Sequence, residues 1–123
     1  MDRILIVDDE ADLVTTYERL LQRRGYRVVS AGSCRDGLVL VERELLALVV
    51  TDLRLPDGDG LDIVRAARRT PTPTPSLVVT GFASHASREA ALAAGASGYL
   101  AKPFTASALI ALVEQALRER PRP

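Results

Sequence analysis

The sequence predicts an α/β protein in which five parallel strands form a doubly wound sheet, with helices on both of its faces. Short apolar runs rich in β-branched residues alternate with longer segments in which apolar side chains recur at helical spacing. Several of the short runs are apolar without interruption, as in strands that are covered on both faces. Parallel neighbours need crossover connections, and the intervening helical segments supply them.

The first strand is predicted at residues 4–7, an unbroken Ile-Leu-Ile-Val run that ends abruptly at acidic residues. Beyond these acids, apolar side chains from Leu13 to Leu21 recur at helical spacing, and Gly25 marks the end of this first helix. The same alternation then repeats. A second strand is therefore predicted at residues 27–31.

A second helix is predicted at residues 34–44, where Leu38 and Val41 supply the apolar positions. The run Ala-Leu-Val-Val-Thr at residues 47–51 predicts a third buried strand, which again stops at an acidic residue. Residues 55–60, Leu-Pro-Asp-Gly-Asp-Gly, are rich in turn formers and predict a turn.

The third helix is predicted over residues 61–67. The Thr-Pro repeat at residues 70–75 predicts an extended surface connection, because proline lacks a backbone donor and restrains the residue before it. Residues 77–80 predict the fourth strand. The alanine-rich segment at residues 87–94 predicts the fourth helix, which Gly95 closes.

A short fifth strand is predicted at residues 97–101, and the last helix begins near Thr105, which is expected to cap it. The apolar stripe of this helix is regular, and no sequence repeat or internal boundary is visible. We therefore predict one domain over residues 1–119, followed by a polar tail or the start of an interdomain linker at residues 120–123.

The composition bounds the function. A chain of 123 residues with 47% hydrophobic and 26% charged residues is an ordinary globular mixture, large enough for one self-sufficient core. The 16 basic and 16 acidic residues cancel, so we expect no direct binding of nucleic acid by this chain.

The single cysteine, Cys34, cannot form an internal disulfide, and no basic leader followed by a long apolar run opens the chain. The apolar runs are also too short to cross a hydrocarbon layer of about 30 Å. We therefore expect a cytoplasmic location and no membrane partner.

Polar residues follow the predicted strands at the edge where sites form in parallel sheets. Asp8 and Asp9 follow the first strand, Asp52 the third, Thr80 ends the fourth and Lys102 follows the fifth. Clustered carboxylates repel one another unless a cation lies among them. Magnesium suits oxygen ligands of this kind, so the sequence predicts a Mg²⁺ site.

Such a site favours phosphoryl chemistry, which needs a nucleophile in line and positive charge on the equatorial oxygens. The Asp52 carboxylate can be the nucleophile, Lys102 a second cation, and Thr80 a hydrogen-bond donor. Lys102 is the only lysine among the 16 basic residues, which indicates that a compact ammonium is needed there.

Four motifs in order resemble the receiver domains of two-component response regulators, and the resemblance covers nearly the whole chain. They are Ile-Val-Asp-Asp-Glu at residues 6–10, the stretch from Thr51 through Asp52 to Gly60, Val-Val-Thr-Gly at residues 78–81, and Gly-Tyr-Leu-Ala-Lys-Pro-Phe at residues 98–104. The resemblance implies a flavodoxin-like (βα)5 fold with strand order 2-1-3-4-5.

It also implies a role for each site residue. The phosphoryl group is accepted by Asp52 from a sensor histidine kinase, and a cis peptide bond precedes Pro103. The Mg²⁺ ligands are Asp9, Asp52 and the Arg54 backbone carbonyl, with Asp8 acting through water, while Lys102 and Thr80 assist the transfer and Thr80 and Tyr99 form the switch pair.

Phosphorylation would then change the face made by the fourth helix, fifth strand and fifth helix. Receivers of this kind usually meet their partners on that face, so we expect a homodimer or a downstream output domain there, with transcription regulation as the output. The chain is expected to be no enzyme beyond self-phosphorylation from small donors and self-dephosphorylation. Phe82 and Arg54, two positions beyond Thr80 and Asp52, are expected to slow the latter by shielding the phosphoryl group.

Two other functions stay open at this point. A haloacid-dehalogenase-like Mg²⁺-dependent phosphatase also uses an aspartyl nucleophile, but its Asp-x-Asp motif follows the first strand. Here the candidate nucleophile Asp52 follows the third strand, and the residue two positions after it is Arg54 and not a second acid. A receiver that is never phosphorylated could act as a binding module. Taken alone, Asp8 and Asp9 could also be helix caps, and Tyr99 a core aromatic.

Overall fold

The computed structural model describes residues 2–120. It contains the five strands and five helices that the sequence predicted, together with two further strands of two residues each, Arg54–Leu55 and Gly58–Asp59. The predicted tail at residues 120–123 lies outside the described residues apart from Arg120. The strands are β1 (Arg3–Val7), β2 (Arg27–Ala31), β3 (Leu48–Thr51), β4 (Arg54–Leu55), β5 (Gly58–Asp59), β6 (Ser76–Thr80) and β7 (Gly98–Ala101). The helices are α1 (Ala11–Gln22), α2 (Cys34–Arg43), α3 (Gly60–Arg68), α4 (His85–Ala94) and α5 (Ala106–Glu119).

The main sheet is parallel throughout, with the order β2-β1-β3-β6-β7. Counted among these five strands alone, this is the order 2-1-3-4-5, and the predicted doubly wound fold is confirmed. The register aligns the strand ends, since Val7 pairs with Thr51 and Thr80 pairs with Ala101. The residues that follow these strands therefore meet at one edge of the sheet.

Both faces of the sheet are covered. Along β1, Ile4 and Ile6 belong to a core cluster with residues of α1 and α5, whereas Leu5 and Val7 belong to a cluster with residues of α2 and α3. All four side chains are fully buried. This explains why the strand reads as an unbroken apolar run rather than as an alternating one.

The segment predicted as a turn at residues 55–60 contains more structure than expected. It forms a small antiparallel hairpin in which β4 pairs with β5 through Arg54 with Asp59 and Leu55 with Gly58, so that Pro56 and Asp57 form its tip. Strands of two residues carry no apolar periodicity, and the turn-forming composition was therefore the only signal available from sequence.

Within residues 2–120, no helix combines the length and the apolar character that a membrane crossing requires.

Candidate functional site

The predicted site residues gather at the carboxyl edge of the sheet, and backbone hydrogen bonds continue the strand pairing to them. The Asp8 amide donates to the Ala31 carbonyl at 3.0 Å, the Asp52 amide to the Val7 carbonyl at 2.9 Å, and the Lys102 amide to the Thr80 carbonyl at 2.9 Å. Because these bonds fix the main chain one residue past each strand, the side chains start from rigid positions.

Lys102 is the centre of the cluster. Its ammonium donates to Asp8 Oδ2 at 2.9 Å, to Glu10 Oε1 at 3.0 Å and to Asp52 Oδ2 at 2.8 Å. Burial alone would lower the pKa of Lys102, but the hydrogen bonds to the three carboxylates outweigh it and raise the pKa above its usual value. The only lysine of the chain is therefore a fixed positive charge in the site.

The carboxylates outnumber this cation. Oxygen atoms of Asp8, Glu10 and Asp52 lie within 4.8 Å of one another. Three carboxylates against one ammonium leave two negative charges unbalanced, and Asp8 and Asp52 are buried. Burial raises the pKa of Asp8 despite the hydrogen bonds that it accepts. A hard divalent cation fits both this excess charge and the all-oxygen donor set.

The acidic members of the site differ in part from those named by the sequence. Asp8, Glu10 and Asp52 form the carboxylate cluster. Asp9 is exposed and lies outside this cluster, so Glu10 is its third member. The signal for Glu10 was present in the acidic run after β1, although its longer side chain had to be placed in space before its reach was visible. Asp9 as a metal ligand stays a prediction.

Helix capping does not account for the acids after β1. The N-cap of α1 is Glu10, whose side chain makes no capping hydrogen bond. Asp8 Oδ1 instead accepts from the Glu10 amide at 2.9 Å, which turns the chain back towards the site. This turn brings Glu10 close enough to contact Lys102.

Arg54 and Phe82 contact each other beside Asp52. The Arg54 amide donates to Asp52 Oδ1 at 3.4 Å, and the Arg54 guanidinium carbon lies 3.9 Å from the centroid of the Phe82 ring. The ring is 58% exposed. The two residues predicted to shield the acceptor are thus joined by a cation–π contact.

Thr80 and Tyr99 each bond to the segment between β6 and α4. Thr80 is fully buried, and its hydroxyl accepts from the Phe82 amide at 3.0 Å. The Tyr99 hydroxyl accepts from the Ser84 amide at 3.3 Å and shares a short hydrogen bond with the Ser87 hydroxyl. Ser84 and Ser87 form the capping box of α4, so the position of Tyr99 is tied to the start of that helix.

Tyr17 and Phe104 form a contact next to the segment that carries Lys102. Tyr17 is one of the positions between Leu13 and Leu21 in the first predicted helix, and Phe104 ends the fourth motif. Tyr17 is buried and its ring stacks on that of Phe104, with centroids 5.5 Å apart. Burial, followed by the charge of Asp8, raises the pKa of Tyr17 above its usual value. Phe104 lies two residues beyond Lys102, and the bond between Lys102 and Pro103 is cis, as the resemblance implied. The stack therefore connects α1 to the segment that carries Lys102.

Comparison with known proteins places these features in a family. The family model described as the response regulator receiver domain matches residues 4–114. The response regulator protein PilR of Pseudomonas aeruginosa is 39% identical over 118 residues, which is 96% of this chain and 26% of PilR. The chain therefore spans about a quarter of that relative.

Solved structures agree with this match. A CheY-like response regulator receiver domain protein from Methanospirillum hungatei superposes with a TM-score of 0.91 at 32% identity, covering 97% of this chain and 95% of that one. A response regulator protein from Burkholderia pseudomallei, solved with a phosphorylated aspartic acid, a calcium ion and citrate, has a TM-score of 0.83 at 31% identity, covering 97% and 75%.

Proposed function

Because the chain belongs to the response regulator receiver domain family, we propose that it is a phosphorylation-dependent switch of a two-component system, in which Asp52 accepts a phosphoryl group from a sensor histidine kinase with Mg²⁺ as cofactor. The carboxylate cluster of Asp8, Glu10 and Asp52 around the single ammonium of Lys102 carries this proposal. The phosphorylated aspartic acid and the calcium ion in the Burkholderia pseudomallei protein support it by analogy.

The transfer itself asks little of the chain beyond position and charge. An oxygen of Asp52 forms a bond to phosphorus while the phosphorus–nitrogen bond of the donor phosphohistidine breaks, and the imidazole nitrogen keeps the electron pair. Lys102, already 2.8 Å from Asp52, would then contact a phosphoryl oxygen. A bound divalent cation would be held by Asp52, its acidic neighbours and the Arg54 carbonyl, and would supply further positive charge to the phosphoryl oxygens.

The switch would begin at Thr80. In this structure the Thr80 hydroxyl accepts a hydrogen bond from the Phe82 amide. A phosphoryl group on Asp52 would provide an acceptor to which the same hydroxyl could donate its proton. Movement of the segment between β6 and α4 would then reach Tyr99 through Ser84 and Ser87. The face formed by α4, β7 and α5 is therefore proposed as the surface for a homodimer or an output domain that regulates transcription, in the cytoplasm.

The test is phosphorylation by a small donor. Purified chain incubated with acetyl phosphate and Mg²⁺ should gain the mass of one phosphoryl group, and Asp52→Asn should abolish the gain while Asp12→Asn, an exposed control in α1, should not. No added mass in the parent chain would overturn the proposal in favour of a binding module. Rapid multiple turnover of phosphate monoesters would instead favour a phosphatase.

A further inference from the structure

The tip of the β4–β5 hairpin lies on the N-terminus of α2. Asp57 Oδ1 accepts from the Cys34 amide at 2.7 Å, and Asp57 Oδ2 accepts from the Arg35 amide at 3.0 Å. The N-cap residue Ser33 accepts from the Asp36 amide at 3.1 Å. The first three amides of the helix are therefore all bonded, and two of them are bonded by a residue more than 20 positions further along the chain.

The residues that follow the tip pack closely on the same helix. A Cβ atom added at Gly58 would lie 3.1 Å from both Cβ and Sγ of Cys34. The Cys34 thiol in turn lies 3.7 Å from the Asp59 carbonyl, as a donor. The hairpin and α2 thus contact each other through main chain as well as through the Asp57 carboxylate.

The base of the hairpin is attached to the phospho-acceptor. The Gly60 amide donates to the Leu53 carbonyl at 2.7 Å, and a Cβ atom added at Gly60 would lie 1.8 Å from the Asp52 carbonyl oxygen. The Thr51 hydroxyl donates to that same oxygen at 2.9 Å. The segment from Asp52 to Gly60 is consequently held at its base by the acceptor residue and at its tip by α2.

From this geometry we infer that Asp57 is a positioning residue for the cation site, an inference that rests on the function proposed above. Arg54, whose carbonyl is the proposed main-chain ligand, lies in β4 and is paired only with Asp59 of the two-residue strand β5. An isolated two-stranded hairpin is only marginally stable in water, even when its strands are longer than two residues. The attachment of Asp57 to α2 therefore restrains β4, the strand that carries the Arg54 carbonyl.

An aspartate suits this attachment. Its two carboxylate oxygens serve two successive amides at once, and a negative charge is favoured at a helix N-terminus. The hydrogen bonds from Arg35 and Cys34 lower the pKa of Asp57, so the carboxylate is ionised at neutral pH. An asparagine would place its NH₂ group, a donor, where one carboxylate oxygen now accepts, so one of the two amides would lose its acceptor.

The experiment is a Mg²⁺ titration of the full chain, followed by amide NMR shifts, in the parent, Asp57→Ala, Asp57→Asn and Ser33→Ala. Asp57→Ala should weaken Mg²⁺ binding by up to about tenfold, the lower end of the range for groups bonded directly to a metal ligand, because Asp57 acts on the Arg54 carbonyl only through the hairpin; Asp57→Asn should fall between. Ser33→Ala removes the other cap of α2 without touching the hairpin. It should lower the melting temperature but leave the Mg²⁺ affinity within about twofold of the parent.

A second measurement separates positioning from general destabilisation. In phosphorylation by acetyl phosphate, Asp57→Ala should raise the half-saturating Mg²⁺ concentration while the rate at saturating Mg²⁺ stays within about twofold of the parent. An unchanged Mg²⁺ affinity in Asp57→Ala, or an equal loss in Ser33→Ala, would overturn the positioning role alone. A parent chain without saturable Mg²⁺ binding would overturn the proposed function, and the positioning role with it.

Discussion

Asp8 is a residue whose ionisation opposes folding but would favour the proposed cation site. It is 2% exposed and lies beside Asp52 and Glu10, and burial raises its pKa in the folded chain. Lys102 neutralises only part of the charge around it. Active sites commonly keep such unfavourable groups, and removing them stabilises the fold.

We therefore expect Asp8→Asn to increase the free energy of unfolding at pH 7 by about 1 kcal/mol, measured in urea without divalent ions. The same variant should bind Mg²⁺ more weakly, because it has lost a carboxylate from the site. Asp12→Asn, exposed in the first turn of α1, is the matched control: it should not stabilise the fold, because it removes only a favourable charge at a helix N-terminus, and it should leave Mg²⁺ binding unchanged. Destabilisation by Asp8→Asn would show that the contact with Lys102 outweighs the cost of burying the charge.

The pH dependence of this difference has a defined sign. Since the pKa of Asp8 is raised on folding, its protonated form is favoured in the folded state, and that contribution is lost as the pH rises through the folded pKa. The advantage of Asp8→Asn should therefore shrink as the pH falls from 7 through the raised pKa, where Asp8 itself becomes neutral. A gap that widens on acidification would contradict this assignment.

At single positions, the acidic run after β1 was only partly predictable from the sequence. Strand ends predicted Asp8, Asp52, Thr80 and Lys102 at one edge, because the order of elements alone decides this. The third member of the carboxylate cluster is Glu10 and not Asp9, because the hydrogen bond from the Glu10 amide to Asp8 turns the chain. No sequence pattern predicts that turn.

Among the structural elements, the regular helices and buried strands were predictable from periodicity, whereas the short pieces between them were not. The β4–β5 hairpin carries two residues in each strand, below any length at which alternation can be recognised. The fourth helix begins at His85 rather than at residue 87, since the capping box of Ser84 and Ser87 starts it earlier than its apolar positions suggest.

The contact between Arg54 and Phe82 joins two such connecting segments across the opening of the site. The guanidinium carbon is 3.9 Å from the ring centroid, and at an exposed position a cation–π contact contributes about 0.5–1 kcal/mol. This contact would keep both side chains over a phosphoryl group on Asp52. Water would then reach the phosphorus less often.

Phe82→Ala is accordingly expected to lose its phosphoryl group about two- to fivefold faster than the parent, the rate ratio that corresponds to losing this contact. Intact mass recorded over time after removal of acetyl phosphate gives the rate. Leu92→Ala, a large exposed apolar residue on α4, serves as the control and should not change it. Equal lifetimes in Phe82→Ala and the parent would remove the shielding role.

At the level of the whole molecule, the order of strands makes the proposed response one-sided. β6 and β7 lie together at one end of the sheet, whereas β2 lies at the opposite end beyond β1 and β3. Thr80 and Tyr99 both bond to the segment that connects β6 to α4, and Tyr99 packs against a core cluster that includes Ala91 of α4. A phosphoryl group on Asp52 that draws in the Thr80 hydroxyl, as proposed above, would therefore act first on α4 and β7.

Amide NMR shifts recorded before and after addition of acetyl phosphate and Mg²⁺ should accordingly be largest at the site and from residue 81 to α5. They should be smallest in β2, which contacts β1 and lies farthest from β7 in the sheet. The parent chain with Mg²⁺ alone is the control, because it separates the effect of the bound cation from that of the phosphoryl group. Shifts of equal size at both ends of the sheet would mean that the phosphoryl group acts on the fold as a whole. In that event the experiment would not support the face of α4, β7 and α5 as the surface that binds a partner.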